Sequence, residues 1–274
     1  QVFSRFDDPA QCGGSAPCVM SYTSDQILGL ERVYALRNTY NIASTNMSLS
    51  GGGATAPCNT ASQKPIIDSL RAAGIATVVA SGNSGQTSSI GSPACIESAV
   101  SVGSTTDADA VSSFTNSAYF LSLLAPGSSI QSSIPLNVYG YKNGTSMAAP
   151  HVAGAWAILK QAKPRADVSE VLGALQFNGA PITDTRIGAT NRIKPRIEVQ
   201  DALDSLLAPG SWMRWDDGVQ IDAIGLNDGG MLSVASHWQP EDIPGGGTIT
   251  KVRIGVHDIP DSAAVQIWQG NDPD

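Results

Sequence analysis

The run NGTSMAAPHVAG at residues 143–154 decides the fold predicted for this chain. It predicts a tight turn that leads into a helix, because Gly144 lets the backbone turn sharply. Ser146 falls at the helix start, where free backbone N–H groups and the positive end of the helix dipole converge. The alanines and Gly154 keep the helix surface small, so the helix can pack deep inside a domain. An isolated serine at such a position would be interpreted as a plain N-cap.

Strand and helix patterns alternate upstream of this run. Residues 42–49 and 75–80 are strand-like, and each stretch ends in a glycine-containing turn. Helical spacing precedes the first strand at 27–36, with an N-cap expected at 23–25. It precedes the second strand at 62–73, where Gly74 should end the helix. We predict further strands at 99–103 and 120–124, extension of the Ser146 helix to about Lys160, and helices at 168–175 and 199–207. This alternation indicates an α/β fold whose mostly parallel sheet is flanked by helices.

The pattern changes at residues 208–210, which read Ala-Pro-Gly. Beyond them, residues 231–238, 248–256 and 263–268 alternate with a period of two, which predicts antiparallel strands. We therefore expect two domains: an α/β domain at 1–207, and a small antiparallel, β-sandwich-like module at 211–274 that this sequence need not contain in full.

Composition excludes several classes of partner. The 274 residues carry a formal net charge of −8 and show no basic stripe, which argues against nucleic acid. No apolar run reaches the roughly 18 residues that predict a membrane span. The four cysteines, an even number, suit an oxidising compartment.

The full run at 143–154 closely resembles the nucleophile segment of the subtilisin-like serine proteases (the subtilases). The resemblance implies that Ser146 attacks the substrate carbonyl. It also assigns Asn83, in the run ASGNSG at 80–85, as the residue whose side-chain amide donates to the oxyanion. On its own, Gly-Asn-Ser-Gly is ordinary turn chemistry. The resemblance covers roughly residues 2–207.

Two further segments resemble the walls of the family's primary specificity pocket, namely residues 46–52 and 80–82. Small residues there let a substrate backbone pair in extended form. The substrate-binding residues that the resemblance implies are Ser48, Leu49, Ser50, Gly51, Ala80, Ser81 and Gly82. Both segments could also be simple strand ends.

The likeness breaks at the catalytic base. In this family the order along the chain is Asp, His and then Ser, yet no histidine precedes Ser146 among the three present, His151, His237 and His257. His151 follows Ser146 by five residues, which places it about 140° around the helix, so we expect it to fill a slot under the helix. Asp7 and Asp8 lack the Asp-x-Gly context of the family's acid and are interpreted as surface turn residues.

We therefore expect a secreted, monomeric serine endopeptidase that acts on proteins or peptides. Its triad His and Asp would lie upstream of this sequence, which would lack the N-terminal part of the catalytic domain and be inactive alone. The alternative is a catalytically inactive subtilisin-like protein that works as a binding module. No cofactor or metal site is identifiable; calcium is implied by the resemblance, but its ligands cannot be placed.

A third hypothesis is an α/β-hydrolase, since residues 144–148 approach the G-x-S-x-G elbow, with His237 and His257 downstream. Against it, Ala148 stands where the elbow has its second glycine, Pro150 follows within the first turns, and Asn83 would have no role.

For the cysteines we predict the pairs Cys12–Cys18 and Cys58–Cys95, one of three possible connectivities. The first closes a short, flexible loop, and the second ties a loop before a helix to the segment after the Asn83 strand. Loop entropy would give them about 2 and about 4 kcal/mol, respectively. The alternative is four reduced, buried thiols; a Cys-x₅-Cys spacing without nearby histidine pairs is a poor zinc site.

Overall fold

A computed structural model of the chain describes residues 2–207, which form five helices and twelve short strands. The helices are α1 (Thr23–Leu36), α2 (Lys64–Ala72), α3 (Thr145–Ala162), α4 (Val168–Phe177) and α5 (Val199–Leu207). The strands are β1 (Ser4–Phe6), β2 (Cys18–Met20), β3 (Ser44–Met47), β4 (Gly51–Ala54), β5 (Ala76–Ala80), β6 (Ile90–Ser92), β7 (Val100–Thr105), β8 (Leu123–Pro126), β9 (Ile130–Ile134), β10 (Val138–Lys142), β11 (Ala180–Thr183) and β12 (Ile193–Arg196).

Six strands form one sheet in the order β11-β12-β8-β7-β5-β3. The five strands from β12 to β3 pair in parallel, and β11 joins the sheet antiparallel to β12. The remaining strands form three small antiparallel pairs, β1 with β2, β4 with β6, and β9 with β10. The predicted α/β class, with a mostly parallel sheet and flanking helices, is confirmed.

Helices cover both faces of this sheet, which explains why four of the five residues of β5 are apolar. Ala76, Val78 and Ala80 join the core under α3, α4 and α5, whereas Val79 joins the core formed with α1 and α2. Successive side chains of a strand point to opposite faces, so a strand covered on both sides must be apolar at nearly every position.

The prediction that α3 packs deep inside the domain is also confirmed. It lies against β3, β5, β7 and β8. The side chains that make this approach possible are mostly small, and they are fully or almost fully buried: Ala148, Ala149, Val152 and Ala155. Trp156, also fully buried, fills the space farther along the same face.

Some local predictions were wrong. Helix α1 begins at Thr23 with Tyr22 as its N-cap, and no side chain caps it, so the cap expected at 23–25 is absent. Seven strands were not predicted because they are short and their residues lack an alternating pattern: β2, β4, β6, β9, β10, β11 and β12. In contrast, Gly74 follows α2 with a φ of +76°, as expected for a residue that ends a helix.

Both predicted disulfides are present. The Cα atoms are 5.6 Å apart in Cys12–Cys18 and 5.2 Å apart in Cys58–Cys95. Within residues 2–207, no helix is long and apolar enough to cross a bilayer. The module predicted at 211–274 lies outside the described residues and stays a prediction.

Candidate active site

Three segments that are distant in sequence meet at one edge of the sheet. Residues 48–51 follow β3, residues 81–83 follow β5, and residues 144–146 open α3. Strands β3 and β5 are parallel neighbours, so both segments leave the sheet at its carboxyl edge. That edge is where ligand sites form in open α/β sheets.

Ser146 is the second residue of α3 and is half-buried. Its Oγ donates to the carbonyl oxygen of Ser48 over 3.3 Å. In return, Ser48 Oγ donates to the carbonyl oxygen of Ser146 over 2.9 Å. The second bond has a simple cause: Pro150, four residues on, has no N–H for the Ser146 carbonyl, and Ser48 supplies the missing donor.

Asn83 is held by the residue that precedes Ser146. Its Oδ1 accepts from Thr145 N over 2.8 Å and from Thr145 Oγ1 over 2.9 Å. Thr145 Oγ1 also accepts from Gly82 N over 3.2 Å, and its side chain is fully buried. With Oδ1 occupied in this way, the orientation of the Asn83 amide is set.

The Nδ2 of Asn83 is left facing the start of α3. It lies 3.5 Å from the point that a Cβ on Gly144 would occupy, and within residues 2–207 the hydrogen bonds of the Asn83 side chain all go to its Oδ1. The backbone N–H of Ser146 belongs to the first turn of α3, where amides have no partner within the helix. Two donors and the positive end of a helix dipole are therefore available beside the Ser146 hydroxyl.

The residues assigned to the pocket walls occupy different environments. Ser50 and Gly51 are exposed, and Ser48 and Leu49 are partly buried. On the opposite wall, Ala80 and Ser81 are buried. Ser81 Oγ donates to the carbonyl of Asn116 over 2.7 Å, so the Ser81 hydroxyl is already bonded within the protein.

Asn116 holds the loop that follows β5. Its N–H donates to Gly82 O over 2.9 Å, and its Oδ1 accepts from Ser84 N and Gln86 N. Gly82 has a φ of +113°, and a Cβ there would lie 2.4 Å from Asn116 Nδ2, so only glycine fits.

Sequence reasoning missed Asn116 and Thr145. Thr145 adjoins the serine of the decisive run, which was a usable signal. The run at 114–117 resembles the family, but the role of Asn116 could not be assigned from it because its partners lie about 30 residues away.

His151 does not take the place predicted for it. It is exposed, and its Nδ1 lies 2.8 Å from the carbonyl oxygen of Met147 on the same helix, so it fills no slot under α3. Asp7 pairs with Arg5 at 2.8 Å on the surface, and Asp8 caps a turn at Ala10, as expected for surface turn residues.

Within residues 2–207, His151 is the only histidine, and no carboxylate or imidazole is bonded to Ser146 Oγ. His237 and His257 lie outside the described residues. In the described part of the chain, no group of three or more His, Cys, Asp or Glu side chains could hold a metal ion.

The sequence and the fold of this chain are both similar to those of known proteins. The sequence profile of the subtilase family matches residues 20–192. The chain is 40% identical over 141 residues to a subtilisin of Bacillus pumilus, a match that covers 50% of this chain and 48% of that protein. It is 38% identical over 172 residues to an extracellular serine proteinase of a Thermus species, covering 62% of this chain and 39% of the relative.

Solved structures show the same fold. A protease from Pseudoalteromonas arctica superposes with a TM-score of 0.58 at 26% identity, covering 68% of this chain and 59% of that one. The prenylagaramide maturation protease also has a TM-score of 0.58, at 23% identity, covering 68% of this chain and 69% of its own. The chain spans about half or less of the length of the curated relatives that it matches. The family profile, the relatives and the shared fold together show that the chain belongs to the subtilase family.

Proposed function

We propose that this chain carries the nucleophile and oxyanion-binding part of a serine endopeptidase. Ser146 would be the nucleophile, and its own N–H together with Asn83 Nδ2 would bind the oxyanion. The observation that carries the proposal is the double hydrogen bond from Thr145 to Asn83 Oδ1, which turns Nδ2 toward the N-terminus of α3. A donor fixed before the reaction stabilises developing charge without having to reorganise.

The reaction would proceed through an acyl-enzyme. Ser146 Oγ attacks the peptide carbonyl carbon and gives its proton to a base, and negative charge collects on the carbonyl oxygen between the two donors. Collapse of this intermediate breaks the C–N bond, and the amine leaves with the proton that the base returns. Water then repeats the attack on the ester and releases the acid.

The base would come from outside the described residues. His151 points away from the reaction and is bonded to the helix backbone. We propose that a histidine and its orienting aspartate lie in a part of the protein that precedes these residues. Residues 1–274 alone would then hydrolyse peptides far more slowly than the whole protein does.

We also propose that the protein is secreted and acts as a monomer on proteins or peptides. Two disulfides support an oxidising compartment. One relative is itself described as extracellular.

A fluorophosphonate probe tests the proposal on the full-length product of the gene. The expected result is labelling of one serine, which peptide mass mapping places at Ser146. The Ser146→Ala variant should not be labelled, while Ser88→Ala, which removes an exposed hydroxyl on the loop between β5 and β6, should still be labelled. A folded full-length protein that is not labelled would instead support the inactive binding protein.

A further inference from the structure

The loop between β11 and β12, residues 184–192, contains a buried ion pair. Arg186 Nε donates to Asp184 Oδ1 over 2.8 Å, and Arg186 Nη2 donates to Asp184 Oδ2 over 2.6 Å. The Asp184 side chain is 2% exposed and the Arg186 side chain 17%. Removing two charges from water is costly unless the remaining donors of the guanidinium also find acceptors. The third nitrogen of this guanidinium therefore indicates what the ion pair holds in place.

That nitrogen, Nη1 of Arg186, is bonded to a distant part of the chain. Its hydrogens are shared among the carbonyl oxygens of Ser112 (3.4 Å), Ser113 (3.3 Å) and Thr115. All three acceptors are main-chain oxygens, so these bonds fix the path of the backbone. The acceptors lie immediately before Asn116 along the chain, and the ion pair therefore holds the segment that carries Asn116.

Asn116 in turn holds the loop that carries Asn83. Its N–H donates to Gly82 O over 2.9 Å, and its Oδ1 accepts from Ser84 N over 2.9 Å. Gly82 and Ser84 are the two chain neighbours of Asn83, so a single residue is bonded to the backbone on both sides of it. A displacement of Asn116 would move the Cα atom of Asn83, and with it the amide that faces the start of α3.

We propose that Arg186 is a positioning residue for the oxyanion-binding amide of Asn83. The contacts run from the ion pair with Asp184 to the carbonyls at 112–115, then to Asn116, and then to the backbone on both sides of Asn83. A donor in an oxyanion site must be in place before the reaction begins, so a small displacement lowers the rate of the chemical step. This inference rests on the proposed function and adds a residue to the same site.

The test uses the full-length protein and a paired variant that carries both Asp184→Leu and Arg186→Met. Replacing both members of a buried ion pair by apolar residues is compatible with folding, whereas replacing one leaves the other charge buried and unpaired. Turnover is divided by the amount of Ser146 that the fluorophosphonate probe finally labels, so unfolded molecules do not count. We expect kcat measured in this way to fall about 10–100-fold, while KM stays within about twofold of the wild-type value.

A double-mutant cycle with Asn83→Leu separates positioning from a general structural effect. If Arg186 acts through the Asn83 amide, the paired variant should lower kcat by less than about twofold once Asn83 has been replaced, because no amide is left to misplace. Equal losses in both backgrounds, or no loss in either, would overturn this inference and leave the proposed function intact. If Asn83→Leu alone leaves kcat unchanged, both the proposed oxyanion site and this inference fail.

Arg165→Met is the matched control, because it makes the same change at an exposed arginine between α3 and α4. It should leave kcat as it is in wild type. Arg186→Lys completes the same cycle even if the paired variant does not fold. Lysine keeps the charge beside Asp184, but its single ammonium cannot reproduce the fork that bonds the carboxylate and the carbonyls together. Its loss of kcat should also disappear when Asn83 is replaced; a loss that persists there, or no loss at all, contradicts the positioning role.

Discussion

Ser146 and Asn83 are positioned by neighbours rather than by each other. Thr145 connects them. Its hydroxyl donates to Asn83 Oδ1 and accepts from Gly82 N, and Thr145 is next to Ser146 along the chain. A single buried side chain therefore couples the loop after β5 to the start of α3.

Replacing Asn83 by Leu removes the side-chain donor from the oxyanion site. We expect kcat of the full-length protein to fall about 10²–10³-fold with a smaller change in KM, because the donor matters mainly in the transition state. This magnitude is the one known for such a donor in a subtilisin, a member of the same family, and is not calculated from this structure.

The matched control for this change is Asn41→Leu at an exposed asparagine before β3, which should leave kcat as it is. Equal kcat values for the Asn83 variant and wild type would exclude Asn83 from the oxyanion site.

Thr145→Val keeps the shape of the side chain and removes its hydroxyl. Gly82 N, which is buried, then loses its acceptor, and Asn83 Oδ1, which is only partly buried, loses one of its two donors. We expect the free energy of unfolding to fall by about 1–3 kcal/mol, measured by urea denaturation. Thr145→Ser retains the hydroxyl and should recover most of the loss. If Val and Ser variants were equally stable, the hydrogen bonds of this hydroxyl would have no stabilising role.

At the scale of elements, α3 has two roles, one at its N-terminus and one on its inner face. Its N-terminus supplies Ser146 and free amides, and its inner face packs small residues and Trp156 against the sheet. Pro150 removes one hydrogen bond from the helix backbone, and Ser48, in the segment that follows β3, replaces it.

Shortening a side chain to alanine should lower the free energy of unfolding much more on the buried side of α3 than on its exposed side. Trp156 is fully buried, whereas Ile158, two residues away, is 50% exposed. Trp156→Ala should therefore lower the free energy of unfolding by about 3–5 kcal/mol, and Ile158→Ala by less than about 0.5 kcal/mol. Urea unfolding of both variants measures this, and similar losses would contradict the packing of α3 described above.

At the scale of the whole molecule, the site exists only because the sheet gathers distant segments. Ser48 and Ser146 are 98 residues apart in sequence, and Asn83 and Thr145 are 62 apart. Parallel strands make this possible, since their carboxyl ends emerge together at one edge.

The stability of the protein should also depend on pH through Lys194 on β12, whose Nζ donates to Tyr119 O. Burial of the ammonium, with added repulsion from Arg192, lowers the pKa of Lys194 to about 8. In the unfolded chain the pKa is about 10.4. Between these values the unfolded state binds more protons, so raising the pH stabilises the folded state.

We therefore expect wild type to gain stability relative to Lys194→Met as the pH rises from 8 to 10, measured by urea unfolding of both proteins. Below pH 8 the difference should be constant, because Lys194 is then protonated in both states. Lys194→Arg, which stays charged throughout, should show no such change relative to Lys194→Met. A wild-type difference that is flat across this range would refute the lowered pKa.

Residues with a local signature could be assigned from the sequence. Three local patterns predicted the fold: the turn and small residues at 143–154, the turn after the strand at 75–80, and the alternation of helices and strands. Such patterns are visible in the sequence because side-chain directions repeat every few residues along a helix or strand. The cysteine pairs were predicted as well, and the structure contains both. Short hairpins such as β9 with β10 carry no such period and were missed.

What only the tertiary structure decided is where polar side chains point once distant segments meet. Three examples depend on how distant segments pack. They are the bond from Ser50 to Ser81 O, the bonds of the Thr145 hydroxyl to Asn83 and Gly82, and the exposed position of His151. A sequence pattern reports which face of a helix or strand is buried, but the partner of a hydroxyl is set by whatever the fold places within about 3 Å of it. Thus the sequence by itself determined the family and the candidate nucleophile, and the fold decided which side chains and carbonyl groups hold that nucleophile.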